Sequence, residues 1–234
     1  RDRRSTDEIY DDVVDSIALT PEYLVTVILS ALIAALGMRS GQTAIVIGAM
    51  VIAPLLGPTL SLALAATVGN GALAWRAGRT LFIGAASVLV FTALLGLAID
   101  FDPRTPELYS RTIVHLGDIA LALASGAAGV MALNKGASAS LVGVMIAVAL
   151  VPPLSAAGLY FGQGDVGLAL RCLFLFANDL VCINIAGIAA FLLQGLPPER
   201  WRITAGVLGV WIAILLVFIA MITGRIVLGV AWSG

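Results

Sequence analysis

Two prolines interrupt one apolar run of this chain near its middle. The run covers 43–68, long enough to cross a bilayer, and contains Pro54 and Pro58. A proline in a helix frees the carbonyl four residues earlier, and lipid cannot satisfy that carbonyl, so the break must face protein or a wet cavity. Freed carbonyls suit cations, and a half-helix N-terminus at Gly57 and Thr59 suits anions. We expect these four residues to line a site for a small solute or ion.

The same pattern recurs 95 residues later in the sequence. A gapless alignment of 41–76 with 136–171 contains 11 identities, including Pro58 with Pro153. A self-match at a fixed offset is the signature of a repeat, so we predict two copies of one unit. The second copy adds further candidates for the binding site, namely Pro152, Pro153 and Ser155.

The composition indicates a helical membrane protein that crosses the bilayer several times. The chain is 60% hydrophobic, has a mean hydropathy of +1.06 and is only 12% charged, and several apolar runs exceed the length of a membrane span. We therefore expect an all-α integral membrane protein whose main surroundings are the lipid bilayer. The net charge of −1 provides no basic patch for a nucleic acid, which we exclude as a partner.

About seven transmembrane helices are predicted, and the second and fifth are broken by proline. The predicted spans are 22–38, 43–68, 80–98, 118–133, 138–161, 168–193 and 203–223. They divide the chain into an acidic amphipathic pre-membrane helix at 1–19, a first three-helix repeat at 20–98, a polar connection with a short interfacial helix at 99–116, a second three-helix repeat at 117–194, and a seventh helix with a tail at 195–234. The acidic helix is either a solvated face or a cation-attracting vestibule.

Three spans in each copy is an odd number, so the second copy must enter the membrane from the opposite side. Two copies in opposite orientation form an inverted repeat, an arrangement found in many secondary transporters, whose sites lie near the midplane between discontinuous helices. With the N-terminus inside, eight Lys and Arg residues fall on the inner side and five on the outer side. This bias favours a cytoplasmic N-terminus.

A polar group interrupts the sixth predicted span. Asn178, Asp179 and Cys182 share one side of a helix, whereas Asn184 points elsewhere. An ionised carboxylate at this depth is costly and must face protein or water. We expect Asn178 and Asp179 to line a site and Asn184 to join helices through a hydrogen bond. Asp179 either handles an ion or proton or is a protonated packing residue.

Nothing in the sequence indicates an enzyme, a cofactor or a metal centre. The letters Gly-x-Gly-Asp at 162–165 match a motif of intramembrane aspartyl proteases, but that motif requires two aspartates that meet inside the membrane. Here Asp165 lies in a predicted loop, and its would-be partner Asp11 lies in a polar helix. His115 stands alone in a connection, where we expect a surface residue rather than a metal ligand.

Four motifs together resemble a bacterial membrane family catalogued as domain of unknown function 389. They are the segments 42–58, 124–129 and 144–154, and the pair Asn178 and Asn184. The resemblance covers about 5–194 and implies a multi-pass protein of the bacterial inner (plasma) membrane, but no activity. The family pattern places an apolar residue after the first asparagine, so Asp179 is a departure. This favours the proline breaks and the two asparagines as the functional groups.

These observations favour a transporter of a small solute or ion, formed by two broken helices that meet at the membrane midplane. An oligomeric ion channel is the first alternative, with the acidic helix at its mouth. A non-transporting scaffold or signalling subunit is the second, in which small-residue faces serve helix association alone. We also expect the protein to form a homo-oligomer.

Overall fold

The computed structural model describes residues 17–134, 139–196 and 201–228. The acidic pre-membrane helix predicted at 1–19 therefore lies almost entirely outside the described residues. Within them, the secondary structure is helical throughout, which confirms the all-α prediction. The helices are α1 (Pro21–Arg39), α2 (Thr43–Ile52), α3 (Leu56–Val68), α4 (Gly71–Ala98), α5 (Pro106–Tyr109), a 3₁₀ turn (Ser110–Thr112), α6 (Leu116–Asn134), α7 (Ala139–Gly162), α8 (Val166–Leu193) and α9 (Trp201–Leu228).

Five of these helices are long and apolar enough to cross a membrane: Pro21–Arg39, Gly71–Ala98, Leu116–Leu133, Val166–Leu193 and Thr204–Gly224. The pair α2 and α3 would be a sixth span if its two halves are counted together. The described apolar part of α7, Leu150–Gly162, is shorter than a span. The number of membrane-spanning helices that the described residues support is thus five or six, and the count of seven stays a prediction.

Helix α7 is the central element of the bundle. It packs against α1, α2, α4, α6 and α8, and every residue from Leu150 to Tyr160 is buried. The prediction that this helix is broken is wrong, because α7 runs continuously through Pro152 and Pro153. Each proline removes one helical hydrogen bond. The close packing around this segment supplies the stabilisation that keeps the backbone helical.

Small residues let α4 and α7 pack closely. A Cβ atom built on Gly158 of α7 would overlap Thr92 Oγ1 and would lie 2.7 Å from the Leu89 carbonyl oxygen, both on α4. Helix α8 approaches α3 in a similar way, since a Cβ atom on Gly187 would lie 2.9 Å from Ala63 Cβ. Glycine at both positions brings the helix backbones together and so fixes where their polar residues lie.

One end of the bundle gathers segments that are far apart in the sequence. The Thr43 hydroxyl donates a hydrogen bond to the Glu107 carboxylate. Nearby, the Tyr160 hydroxyl donates to the Pro103 carbonyl at 2.8 Å, and the Gln163 amide donates to the Phe101 carbonyl at 3.3 Å. The polar connection between α4 and α6 therefore covers the end at which α1 and α7 terminate.

Candidate functional site

The predicted break in the second apolar run is present and lies between α2 and α3. The two half-helices meet at an angle of 55°. Ala53, which ends α2, has an extended backbone with φ −69° and ψ 120°. This conformation is the one that a following proline imposes on the preceding residue, so Pro54 accounts for the break.

Pro58 has a different role from the one that the sequence predicts. It is buried in the first turn of α3, which begins at Leu56. The N–H groups of a first helical turn have no partner within the helix, so a proline there removes no helical hydrogen bond. The expectation that Pro58 frees a carbonyl is therefore wrong, and Pro54 alone interrupts the run.

The hydroxyl groups beside the break are satisfied by their own helix. Thr59 is fully buried, and its Oγ1 donates to the Leu55 carbonyl at 2.8 Å. Ser61 Oγ donates in the same way to the carbonyl of the half-buried Gly57 at 2.7 Å. The Leu55 and Gly57 carbonyls lie at the start of α3, whereas the break frees carbonyls in the last turn of α2. One carbonyl of that turn, Ala49, receives a hydrogen bond from Ser30 Oγ of α1 at 2.7 Å. Lone pairs on the Thr59 hydroxyl still allow it to accept a hydrogen bond.

The polar group on α8 lies at the middle of this 28-residue helix, as the sequence predicts. Asn178 is fully buried and Asp179 is 5% exposed. The Asn178 amide donates to Asp179 Oδ1 at 3.4 Å, a long hydrogen bond, and Asn178 Oδ1 has no partner among the described residues. A buried acceptor without a partner costs about 1–3 kcal/mol, so a water molecule or a ligand that donates to Asn178 Oδ1 would stabilise this group.

Ser155 and Asn184 are also buried and incompletely satisfied. Ser155 Oγ on α7 has no partner among the described residues. Asn184 donates from Nδ2 to the Leu180 carbonyl at 2.8 Å, which is within its own helix, and its Oδ1 is unpartnered in the described part of the chain. Among the described residues, the expected hydrogen bond from Asn184 to a neighbouring helix is therefore not seen.

A small cavity of about 50 Å³ brings two of the predicted site residues together. It lies where α6, α7, α8 and the 3₁₀ turn meet, and Pro153 and Asp179 both line it. Three other polar or charged residues contribute to its wall, namely Arg111, Asp118 and Ser125. The residues of the α2–α3 break, Pro54 to Thr59, do not line this cavity.

Sequence reasoning missed Arg111, Asp118 and Ser125 as site residues. Asp118 belongs to the first turn of α6, where its Oδ2 accepts a hydrogen bond from the His115 N–H at 2.7 Å. This is the ordinary pattern of a helix start and carries no sign of a ligand. Arg111 lies in the polar connection, and only the fold brings its side chain back to α8.

Among the described residues, no group of three or more His, Cys, Asp and Glu could hold a metal ion. The two cysteines, Cys172 and Cys182, are buried and free. Both lie on α8.

Comparison with known proteins identifies the family. The model of the family described as domain of unknown function (DUF389) matches residues 50–185, more than half of the chain. The chain belongs to the DUF389 family. This confirms the resemblance that the four motifs indicate.

An uncharacterized protein of Methanocaldococcus jannaschii is 34% identical to this DUF389 protein over 200 residues. The aligned region covers 86% of this chain but 62% of the relative, so the chain spans less than two thirds of the relative's length. No solved structure matches the chain. All of the candidate site residues, including Arg111 and Asp118, fall within the part that the family model matches.

Proposed function

We propose that this DUF389 protein is a membrane transporter that moves a small solute or ion past the α2–α3 break and the polar middle of α8. The observation that carries the proposal is the 55° break inside an apolar run long enough to cross the bilayer. Irregular backbone at membrane depth is tolerated where it is enclosed by protein or lines a water-filled cavity. Discontinuous helices form the binding sites of many secondary transporters.

Unpartnered acceptors near the helix centres support a ligand that donates hydrogen bonds or carries positive charge. Asn178 Oδ1 and Ser155 Oγ are both buried without a partner in the described part of the chain. They lie on α8 and α7, which pack against each other. Helix α3, which begins at the break, also packs on α8, the helix that carries Asn178.

Contacts that exchange under the 95-residue offset support two repeats related by a pseudo-two-fold axis. Thr92 of the first half meets Gly158 of the second. Adding 95 to the first number and subtracting 95 from the second gives 187 and 63, and Gly187 does meet Ala63. A contact pair that maps onto another pair in this way is expected when a pseudo-two-fold axis relates the two halves.

The turns before α4 and α8 also match at this offset. Asn70 Oδ1 accepts a hydrogen bond from the Leu73 N–H at 3.1 Å, and Asp165 Oδ1 accepts one from the Leu168 N–H at 3.0 Å. The preceding residues, Gly69 and Gly164, share a positive φ of 81°. In both halves a left-handed glycine thus follows the middle span, and the next helix begins with an equivalent N-cap hydrogen bond, which supports duplication of one unit.

The proposal includes alternating access of the central region to the two sides of the membrane. Single cysteines at Gly57 and Val151 test it in a variant in which Cys172 and Cys182 are replaced by alanine. We expect each site to react with a membrane-impermeant thiol reagent from one side or the other, according to the conformation in proteoliposomes. A cysteine at Leu216, an exposed apolar position on α9, is the control and should remain unreactive.

Reaction of these cysteines from both sides at once would contradict the transporter and support the channel. Absence of reaction at both sites, with the protein shown to be folded, would leave the scaffold or signalling role. The homo-oligomer, the inner (plasma) membrane location and the cytoplasmic N-terminus belong to this proposal as expectations. So does the absence of an enzymatic activity.

A further inference from the structure

The cavity at Asp179 is too small for an organic solute. Its volume is about 50 Å³, whereas one water molecule takes up about 30 Å³ in the liquid. The wall combines the Asp179 carboxyl, the Asp118 carboxyl, the Ser125 hydroxyl and the Arg111 guanidinium. A water molecule or a hydronium ion fits this space and finds several polar partners there.

The carboxyl group of Asp179 is buried and has little hydrogen bonding. It is 5% exposed, and its one hydrogen bond among the described residues is the 3.4 Å contact from Asn178. A carboxylate at the centre of a transmembrane helix costs about 2.5–3.5 kcal/mol on insertion scales. The ionised form is therefore costly unless charges around the cavity offset it.

The charged groups around Asp179 favour the binding of a proton. Arg111 approaches from the 3₁₀ turn and Asp118 from α6, and Cys182 is the nearest titratable group on α8 itself. Helix α3 and the part of α7 with described side chains, 150–162, contribute no charged side chain. Two carboxyl groups share the cavity with one guanidinium, and that guanidinium also lies 3.9 Å from the Glu107 carboxylate. Negative charge is therefore in excess around Asp179, and a proton bound to Asp179 reduces this excess.

A metal cation fits this site less well than a proton. Hard cations are held by several oxygen ligands, and no group of three or more His, Cys, Asp and Glu residues that could hold a metal ion exists among the described residues. The guanidinium of Arg111 in the cavity wall disfavours a resident cation, whereas a proton bound to a carboxylate forms a neutral group.

The position in the first repeat that corresponds to the cavity is occupied by a side chain. Subtracting 95 from Asp118 and Asp179 gives Tyr23 and Gly84. The Tyr23 hydroxyl lies so close to Gly84 that a Cβ atom on the glycine would overlap it, and it donates to the Thr80 carbonyl at 3.4 Å. The fold thus occupies this place with a tyrosine ring in one half, while the other half has a cavity between two carboxyl groups.

We propose that Asp179, paired across the cavity with Asp118, binds the proton that drives transport. The inference rests on the proposed transport function and names its coupling ion. A hydronium ion in the cavity gives its proton to a carboxylate oxygen of Asp179 and leaves as water. Asp118 is half-buried and the Arg111 side chain is 26% exposed, so both lie between Asp179 and the surface.

Labelling with dicyclohexylcarbodiimide tests the proton site without knowledge of the solute. This apolar reagent reacts with protonated carboxyl groups, so mass spectrometry of the protein in liposomes reports the neutral fraction of Asp179. We expect labelling at acidic pH and its loss as the pH rises. Asp179→Asn should abolish the labelled peptide and confirm the position.

Two variants of the cavity wall should move the labelling curve in opposite directions. Arg111→Gln removes a positive charge that favours the carboxylate, so labelling should persist to higher pH. Asp118→Asn removes a negative charge that disfavours it, so labelling should be lost at lower pH. Asp165→Asn is the matched control, since this N-cap lies in the loop before α8 and should leave the curve unchanged.

Labelling of Asp179 that is the same at every pH would overturn the proposal, because the group would be a permanently protonated packing residue. Absence of labelling at every pH would also overturn it, because the carboxylate would then be a fixed partner of Arg111. If labelling of Asp179 depends on pH but the cysteines at 57 and 151 react from neither side, the proton site is supported and the transport function is contradicted. If those cysteines react as expected for a transporter but labelling does not depend on pH, transport is supported and the proton site is contradicted.

Discussion

At the scale of single residues, glycine sets the distance between the central helices. Gly158 lies against Thr92 and the Leu89 carbonyl, both on α4, and leaves no room for a methyl group. Other helical glycines are free of this constraint, and a Cβ atom on Gly78 of α4 would meet nothing within 4 Å. The identity of the residue at 158 therefore matters for packing, whereas that at 78 does not.

We predict that Gly158→Ala destabilises the protein by about 1–3 kcal/mol, the usual cost of overpacking. The Leu89 carbonyl belongs to the backbone and cannot rotate away, so α4 and α7 must move apart. Gly78→Ala is the control and should be neutral or stabilising by up to about 1 kcal/mol, because alanine favours the helix. Thermal unfolding in detergent micelles measures both. Equal stability of the two variants would show that the helices do not pack as closely as described.

At the scale of whole helices, proline acts according to its position and its surroundings. Pro54 follows an extended residue and separates α2 from α3. Pro58 lies in the first turn of α3, where it removes no helical hydrogen bond. Pro152 and Pro153 lie inside α7, within a segment from Leu150 to Tyr160 in which every residue is buried. The same residue type therefore produces a break, a helix start and an uninterrupted helix in one chain.

We predict that Pro54→Ala reduces the bend between α2 and α3 and that Pro58→Ala does not. Alanine at 54 restores a backbone donor and lifts the restriction on Ala53, so the two half-helices can join. Spin labels on cysteines at Ile47 and Trp75, both exposed, report the change, with the native cysteines replaced. The distance between the labels should lengthen only in Pro54→Ala. An unchanged distance would mean that packing, rather than proline, holds the bend.

These differences indicate how far the sequence predicts the structure. The length of the apolar runs predicts the helices, and a proline within one of these runs predicts the α2–α3 break. The continuity of α7 depends on tertiary packing, which local rules on proline do not include. The cavity at Asp179 depends on Arg111, which is separated from it by 68 positions of sequence and has no local pattern of its own. Candidate residues on one helix were thus predictable, and their partners on others were not.

At the scale of the whole molecule, the connections divide between the two ends of the bundle. At one end, the first residue of α2, Thr43, contacts the α4–α6 connection at Glu107, and the loop after α7 contacts it through Gln163 and Phe101. The start of α9 lies on the end of α3, where Thr204 Oγ1 donates to the Thr67 carbonyl at 2.9 Å. Connections alternate between the two ends in this way if each span crosses the membrane once.

We predict that cysteines at Ser40 and Gln163 react with an impermeant reagent from the same side of sealed proteoliposomes. Cysteines at Ala72 and Trp201 should react from the opposite side, and all four positions are exposed in the structure. Each of the first two sites follows an odd number of crossings if α2–α3 and α7 each span the membrane once. If the α2–α3 pair instead enters and leaves by one side, Ala72 would react together with Ser40. That result would show a re-entrant hairpin and remove the parity on which the inverted repeat depends.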